Sequence, residues 1–362
     1  MGKNRLLYLS YQDVVDVGLT MPEIIESMEK MFIAKGRGRT EMPPKPGIHP
    51  GESGGFMHAM PASIPDLKSA GIKWVSAFPE NPARGLPYIS GLLIFNDVQT
   101  GLPLAVMDGV WMTAKRTGAA SAISARHLAR PDSSVMGILG CGVQGRSHVE
   151  ALKERFPLKK VMAYDTHPEA RKQYVTEISA NFGLEAVAVD TPQEAVTGCD
   201  IVVTAGPMTK TPHATIQPGW LDEGAFASLV DYDAYWQPAA MQATDIFCTD
   251  DTNQFRAAQQ AGYFKDIPDL HADLGELASG QKQGRQTPAE RTMTANLGLA
   301  LPSIVLAPLA ILLFAVWLGW LPAGGGGSLS HYLLPPLTLT WELAAPFVDA
   351  LTEVLARGEE TA

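Results

Sequence analysis

The sequence predicts an α/β protein in which a doubly wound parallel sheet is joined to an α+β domain, with an atypical apolar segment at the C-terminal end. Three observations lead there. From Ser134 to about Asp250, short β-type apolar runs alternate with longer helical patterns, the signature of a parallel sheet with crossover helices. Before Gly109 the chain is instead punctuated by turn residues between short strand-like runs. Third, Leu301 to Pro322 contains no charge, although the 362-residue chain as a whole is ordinary in composition, 46% hydrophobic and 18% charged.

Taken in order, "MPEIIESMEKMFIAKGRG" has apolar residues at helical spacing, with a cap near Thr20 and a stop at Gly36. The stretches "MPPKPGIHPGESGG", "AFPENPARGLP" and "NDVQTGLP" are turns, and they bound strand-like "GIKWVSAF" and "ISGLLIFND". A long helical pattern, "MTAKRTGAASAISARHLA", leads into the alternating region, which places a domain boundary near Trp111. The expected strands are "SVMGIL", "KKVMAY", "EAVAV", "DIVVTAG", "AFASLVD" and "DIFCTD". Helices are expected over "SHVEALKERF" and "PEARKQYVTEISANFG", the second stopped by Gly183. The resulting division is an α+β domain over 1–111, a doubly wound domain over 112–296 and an atypical tail over 297–362.

The bulk numbers narrow the function. A formal net charge of -10 opposes binding to nucleic acid or to an anionic membrane surface, both of which need clustered Lys and Arg. Cys141, Cys199 and Cys248 are widely spaced and fit neither a disulfide framework nor a metal-ligand pattern. The eight histidines lack metal-ligand spacing, so no metal is expected. The N-terminus has no apolar run long enough for a signal peptide, and the expected location is cytoplasmic.

In "GILGCGVQGRSH", Gly140, Gly142 and Gly145 have G-x-G-x-x-G spacing directly after an apolar strand and before a helix. In that context the first glycine permits a tight turn and the second lets the backbone approach a pyrophosphate. The third lets strand and helix pack closely. The next strand ends in Asp165, twenty positions after Gly145, where a carboxylate can accept from ribose hydroxyls. These features predict a Rossmann-type domain and favour NAD over NADP, whose 2′-phosphate would meet that carboxylate.

Together with "GIKWVSAFPEN", "GLPYISGLLIFNDVQTGLPLAVMDG", "TAKRTGAASAISARHLARPDSS" and "ERTMTANLGLAL", the glycine turn resembles the ornithine cyclodeaminase and mu-crystallin family over roughly Leu6 to Leu301. "MPPKPGIHP", "VDYDAYW" and "GYFKDIPDLHADLGEL" look like a branch of it often described as a tyramine oxidase component. The resemblance implies a homodimer that moves hydride between nicotinamide and an amino acid or imine, as a cyclodeaminase, dehydrogenase or imine reductase. The rival is a non-catalytic or membrane-tethered nucleotide-binding subunit of another oxidase.

The resemblance also implies site residues. Lys73, Lys115 and Arg116 fall where the family binds a substrate carboxylate, and a guanidinium suits two parallel hydrogen bonds. Lys45 stands where many relatives have Arg. Asp231 is preferred over Asp233 for the acid/base that serves the amine, in a segment where many relatives carry a glycine-rich loop. Lys73 belongs with Asp231 at the reacting centre. Thr117, Val143 and Gln144 join the glycines and Asp165 at the cofactor. His58 either lines the substrate pocket or is a satisfied structural histidine, and His148 reads as structural. Trp74, Tyr232 and Trp236 read as pocket wall or core.

After "NLGLAL" the sequence departs from the charged closing helix that the resemblance leads one to expect. Leu301 to Pro322 is long enough for a membrane span, though Pro302, Pro308 and Gly319 weaken it. From "LLFAVWLGWLP" through "GGGGS" onward it resembles a peptide-transporter permease fragment. Three readings stand: a membrane anchor, a buried helix, and a foreign segment, which is preferred.

Overall fold

The computed structural model describes residues 6–51, 54–208, 211–299 and 301–317. The chain divides into two compact units. One takes the residues up to Thr20, Arg39–Met112 and the C-terminal helix; the other takes Met21–Gly38 and Thr113–Leu299.

The first unit is built on a six-stranded sheet. Its strands are β1 (Leu7–Leu9), β2 (Gly47–Ile48), β3 (Phe56–Ile64), β4 (Ser69–Ala77), β5 (Ile89–Asn96) and β6 (Pro103–Asp108), in the order β1-β6-β5-β4-β3-β2. β1 runs parallel to β6 and the remaining pairs are antiparallel, as the tight turns between them require. A short helix, α1 (Tyr11–Asp16), begins at a capping box. The Asp13 N–H donates to Ser10 Oγ at 3.3 Å, and the Ser10 N–H donates back to Asp13 Oδ2 at 2.7 Å.

The second unit holds an eight-stranded, fully parallel sheet. Its strands are β7 (Val135–Leu139), β8 (Lys160–Tyr164), β9 (Glu185–Ala188), β10 (Ile201–Thr204), β11 (Phe226–Leu229), β12 (Ile246–Thr249), β13 (Leu270–Asp273) and β14 (Thr292–Ala295). The order is β13-β12-β14-β11-β10-β7-β8-β9, so the chain moves outward from β7 and then returns to its other side at β10. That reversal is the switch point where doubly wound sheets open a ligand crevice. The helices are α2 (Met21–Gly36), α3 (Val110–Leu128), α4 (Val143–Lys153), α5 (Pro168–Phe182), α6 (Pro238–Gln242), α7 (Thr252–Gln260) and α8 (Leu274–Ala278). The division between the units falls in the first turn of α3.

Two expectations change here. α2, read with the N-terminal domain, belongs to the second unit and packs on α8 and α4. Its apolar stripe (Ile24, Ile25, Met28, Met31 and Phe32) is buried, and its last turn is held by an ion-pair clamp. Lys35 Nζ lies 3.1 Å from Asp251 Oδ2 and 2.6 Å from Asp273 Oδ2, and these aspartates are the N-caps of α7 and α8.

The second change concerns the uncharged run. Its described part forms α9 (Leu301–Trp317), which packs on β3, β4 and β5. Ile304, Val305, Leu306, Ala307 and Ala310 are buried. Pro308 has no N–H for the carbonyl of Ile304 four residues earlier, and the buried Ser69 Oγ donates to that oxygen at 2.7 Å instead. A helix seated with its interior proline, Pro308, compensated by the facing strand is a core helix. This corrects the preference for a foreign segment over this portion. Among the described residues no helix is long and apolar enough to cross a membrane. The permease-like portion lies almost entirely in residues 318–362, outside the described residues.

Candidate active site

The glycine turn joins β7 to α4, and each glycine has its own steric reason. Gly140 adopts φ +110°, and a Cβ there would stand 2.5 Å from the Ala205 carbonyl oxygen beyond β10. Gly145 packs so closely that a Cβ would lie 2.5 Å from Gly140 O. Gly142, the N-cap of α4, has nothing within 4 Å of its Cβ position, which leaves open space beside the helix N-terminus. This fits a pyrophosphate: an approachable backbone, first-turn N–H groups and the positive end of a helix dipole. Arg146 braces the turn by donating from Nη1 to Cys141 O at 2.6 Å and to Gly142 O at 3.1 Å, with Nε on Glu177 Oε2 at 2.6 Å. Val143 is 63% exposed beside it, while the Gln144 carbonyl turns inward.

Asp165 stands at the end of β8. Its Oδ2 accepts from the Cys141 N–H at 2.9 Å and its Oδ1 from the His167 N–H at 3.0 Å, so the carboxylate is fixed against the turn. Burial, reinforced by Asp165, pushes the Cys141 thiol up to about 12, which makes it inert as a nucleophile.

Across the switch point, Asp231 follows β11. Its Oδ1 accepts from Thr204 Oγ1 at 2.7 Å and its Oδ2 from the Gly206 N–H at 3.0 Å. Burial raises its pKa to about 7, against the lowering effect of these donors. Tyr232 takes a left-handed φ of +63°, which turns Asp233 away to accept from the Phe264 N–H at 2.7 Å. Asp233 Oδ1 is buried without a partner, and burial raises this carboxyl too. Trp236 is core, its Nε1 donating to Thr204 Oγ1 at 3.3 Å.

On α3, Arg116 is buried and its Nε has no partner. Burial lowers its pKa to about 10 while Asp250, just after β12, works to raise it; the guanidinium stays charged at neutral pH. Gly298 packs on it, since a Cβ there would be 3.2 Å from Nη2, and the Gly298 N–H donates to Asp250 Oδ2 at 3.0 Å. Neighbouring Thr117 donates to the Thr113 carbonyl at 2.7 Å and receives Asn296 Nδ2 on its own carbonyl at 3.2 Å. Lys115 points elsewhere, into an ion pair with Glu150. His148 is structural: Nδ1 meets the Gln144 carbonyl at 2.7 Å and Nε2 meets Ser121 Oγ at 2.8 Å, and burial lowers its pKa to about 4.

In the first unit, Lys73 is fully buried at the centre of β4, opposite Met60 and Leu93, while its neighbour Trp74 is exposed on the other sheet face. His58 stacks on Phe56 at 4.3 Å between ring centres. Burial, helped by Lys45 and His49, lowers its pKa to about 4. Among the described residues no cluster of three His, Cys, Asp or Glu side chains is placed to hold a metal ion.

A profile of the ornithine cyclodeaminase/mu-crystallin family matches residues 8–310. The chain belongs to this family. It is 33% identical over 305 residues to the alanine dehydrogenase of Archaeoglobus fulgidus, covering 82% of this chain and 91% of that one. Among solved structures it resembles the Thermococcus litoralis Δ1-pyrroline-2-carboxylate reductase in complex with NADH and L-proline. There the TM-score is 0.79 and the identity 32%, over 87% of this chain and 98% of that one. An archaeal alanine dehydrogenase dimer with bound NAD matches with TM-score 0.76 and 31% identity, over 87% and 97%.

The match reaches residue 310, so the buried first half of α9 belongs to the family and any departure begins after it. The strand ends carry Gly140, Gly142, Gly145, Asp165 and Asp231 in the same unit as Arg116 of α3, whereas Lys115 is paired with Glu150. Sequence reasoning missed Thr204 and Gly206, which donate to Asp231; Asp250 and Gly298, which lie beside Arg116; and Asn296, which donates to the Thr117 carbonyl. Only "TANLG" gave any signal for the last two, as part of the motif "ERTMTANLGLAL".

Proposed function

We propose that this chain is an NAD-dependent oxidoreductase that interconverts a small 2-amino acid and its imine. The observation that carries the reading is Arg116: a buried, charged guanidinium with an unpartnered Nε, held in the same unit as an open glycine-rich turn. A buried charge of this kind needs an anion, and a substrate carboxylate supplies one in bidentate geometry. Asp250 adds a favourable field and Gly298 packs against the guanidinium, which leaves its Nε for the incoming anion. The relatives named above, an alanine dehydrogenase and a reductase seen with NADH and L-proline, act on substrates of this class.

Gly140, Gly142 and Gly145 would hold the dinucleotide by its pyrophosphate, and its nicotinamide would supply hydride exchange with the carbon bearing nitrogen. Asp231, poised near neutrality, takes the N–H proton as the amine becomes an imine and gives it back in reduction. Asp165 holds the adenosine ribose, with Val143, Gln144 and Thr117 around the cofactor. Lys73, with Lys45 and His58, is assigned to the substrate on the resemblance. Lys115 is left out, because Glu150 occupies it.

The test is Arg116→Ala. Reductive turnover of Δ1-pyrroline-2-carboxylate or of pyruvate with ammonia should be abolished, while NADH binding followed by fluorescence stays as in the wild type. Retained turnover removes Arg116 from this role.

A further inference from the structure

Tyr235 is a polar side chain with no task in the chemistry above. The residue as a whole is 7% exposed, and its hydroxyl, which keeps access to solvent, makes no hydrogen bond to another described residue. Its position is well determined by its neighbours. The ring fills the space beside Gly206, where a Cβ would stand 2.5 Å from Cε2 and 3.1 Å from the hydroxyl oxygen. Gly206 is itself fixed by its N–H on Asp231, and its nitrogen lies 3.1 Å from where a Cβ of Gly140 would be. The hydroxyl is thus separated from the glycine turn by a single glycine. The backbone behind it is tied down, with the Ile216 N–H donating to the Tyr235 carbonyl at 2.7 Å.

The surroundings also decide its hydrogen-bonding role. Burial, then Asp231, Asp165, Tyr164 and Cys141, push the phenol pKa upward, so it remains a neutral donor. Both carboxylates already accept from other groups: Asp231 from Thr204 and Gly206, Asp165 from Cys141 and His167. A neutral donor beside Gly206, with both nearby carboxylates already engaged, suits an incoming group that only accepts, and phosphate oxygens are of that kind.

We propose that Tyr235 is a further cofactor-binding residue, its hydroxyl donating to the pyrophosphate of the dinucleotide. The proposal rests on the NAD reading above. It explains why a ring closes over Gly206 instead of leaving the crevice open.

The experiment is a fluorescence and calorimetric titration of the purified full chain with NADH, ADP-ribose and adenosine, for wild type and Tyr235→Phe. Phenylalanine keeps the ring on Gly206 and removes only the donor. Y235F should weaken NADH and ADP-ribose alike by about tenfold, the loss expected for one hydrogen bond to a charged group. Adenosine, which lacks the pyrophosphate, should bind equally to both. Gly206→Ala, whose methyl displaces the ring edge, should also weaken NADH and stands in if Y235F folds poorly. Unchanged NADH and ADP-ribose affinities overturn the assignment, and an equal loss for adenosine overturns the choice of pyrophosphate. A wild-type chain that binds no NADH instead ends the cofactor reading itself.

Discussion

Asp231 combines two demands that usually conflict: it is buried deeply enough to bring its pKa to about 7, yet two donors hold its carboxylate in place. The pH dependence follows with a definite sign. Oxidation of an amine needs the carboxylate, so its rate should rise as pH passes upward through about 7. Imine reduction needs the acid and should fall over the same interval. Asp231→Asn should remove both limbs and lower turnover by roughly a hundredfold or more, with NADH binding retained. Rate profiles in both directions check this, and the same variant at Asp233 should keep the limbs. The folded-state pKa lies above the ordinary aspartate value of 3.8, so protonated Asp231 favours the fold below that value. The favour is lost as pH climbs to about 7. The glycines and Asp165 were legible because three spacings and one acid carry a steric and electrostatic message in a short stretch. Asn296 was not legible as a partner of Thr117, since the two lie 179 residues apart and meet only through the sheet.

At the scale of elements, periodicity revealed faces but not partners. The stripe of α2 announced a buried side, yet only the fold shows Lys35 clamped between the N-caps Asp251 and Asp273 in the nucleotide unit. β14 escaped notice because four residues, Thr292 to Ala295, are too short and too mixed to read as the central strand they form between β11 and β12. α9 is apolar on all sides, a pattern shared by membrane spans and fully buried helices. Ser69 and Pro308 distinguish the two here, because a strand hydroxyl meets the carbonyl that the proline leaves free. Ser69→Ala should therefore destabilise the protein by about 1–3 kcal/mol, the cost of an unsatisfied buried acceptor. In a Pro308→Ala background the helix regains its own N–H, and the same substitution should cost less. Denaturant midpoints for the four chains of this cycle check the coupling; additive effects would contradict it.

For the whole molecule, the six-stranded sheet leaves one apolar face uncovered by the described residues. Tyr8 is 66% exposed, Trp74 42% and Leu92 43%; Trp74 faces Leu92 across β4 and β5, and Tyr8 faces Val106 across β1 and β6. Such a face calls for a partner, and an archaeal relative is a dimer. We propose a second copy of this chain as the partner, so Leu92→Arg should shift the mass measured by light scattering from dimer to monomer. A wild-type monomer would contradict this. Hydride transfer to an imine bearing a carboxylate is tested by incubating the full chain with NADH carrying deuterium at both C4 positions of the nicotinamide and Δ1-pyrroline-2-carboxylate, followed by mass spectrometry of the proline formed. One deuterium at the proline Cα, absent with Arg116→Ala, is the predicted result. NADH binding with no deuterium transferred, either to this imine or to the imine of pyruvate and ammonia, would contradict the account.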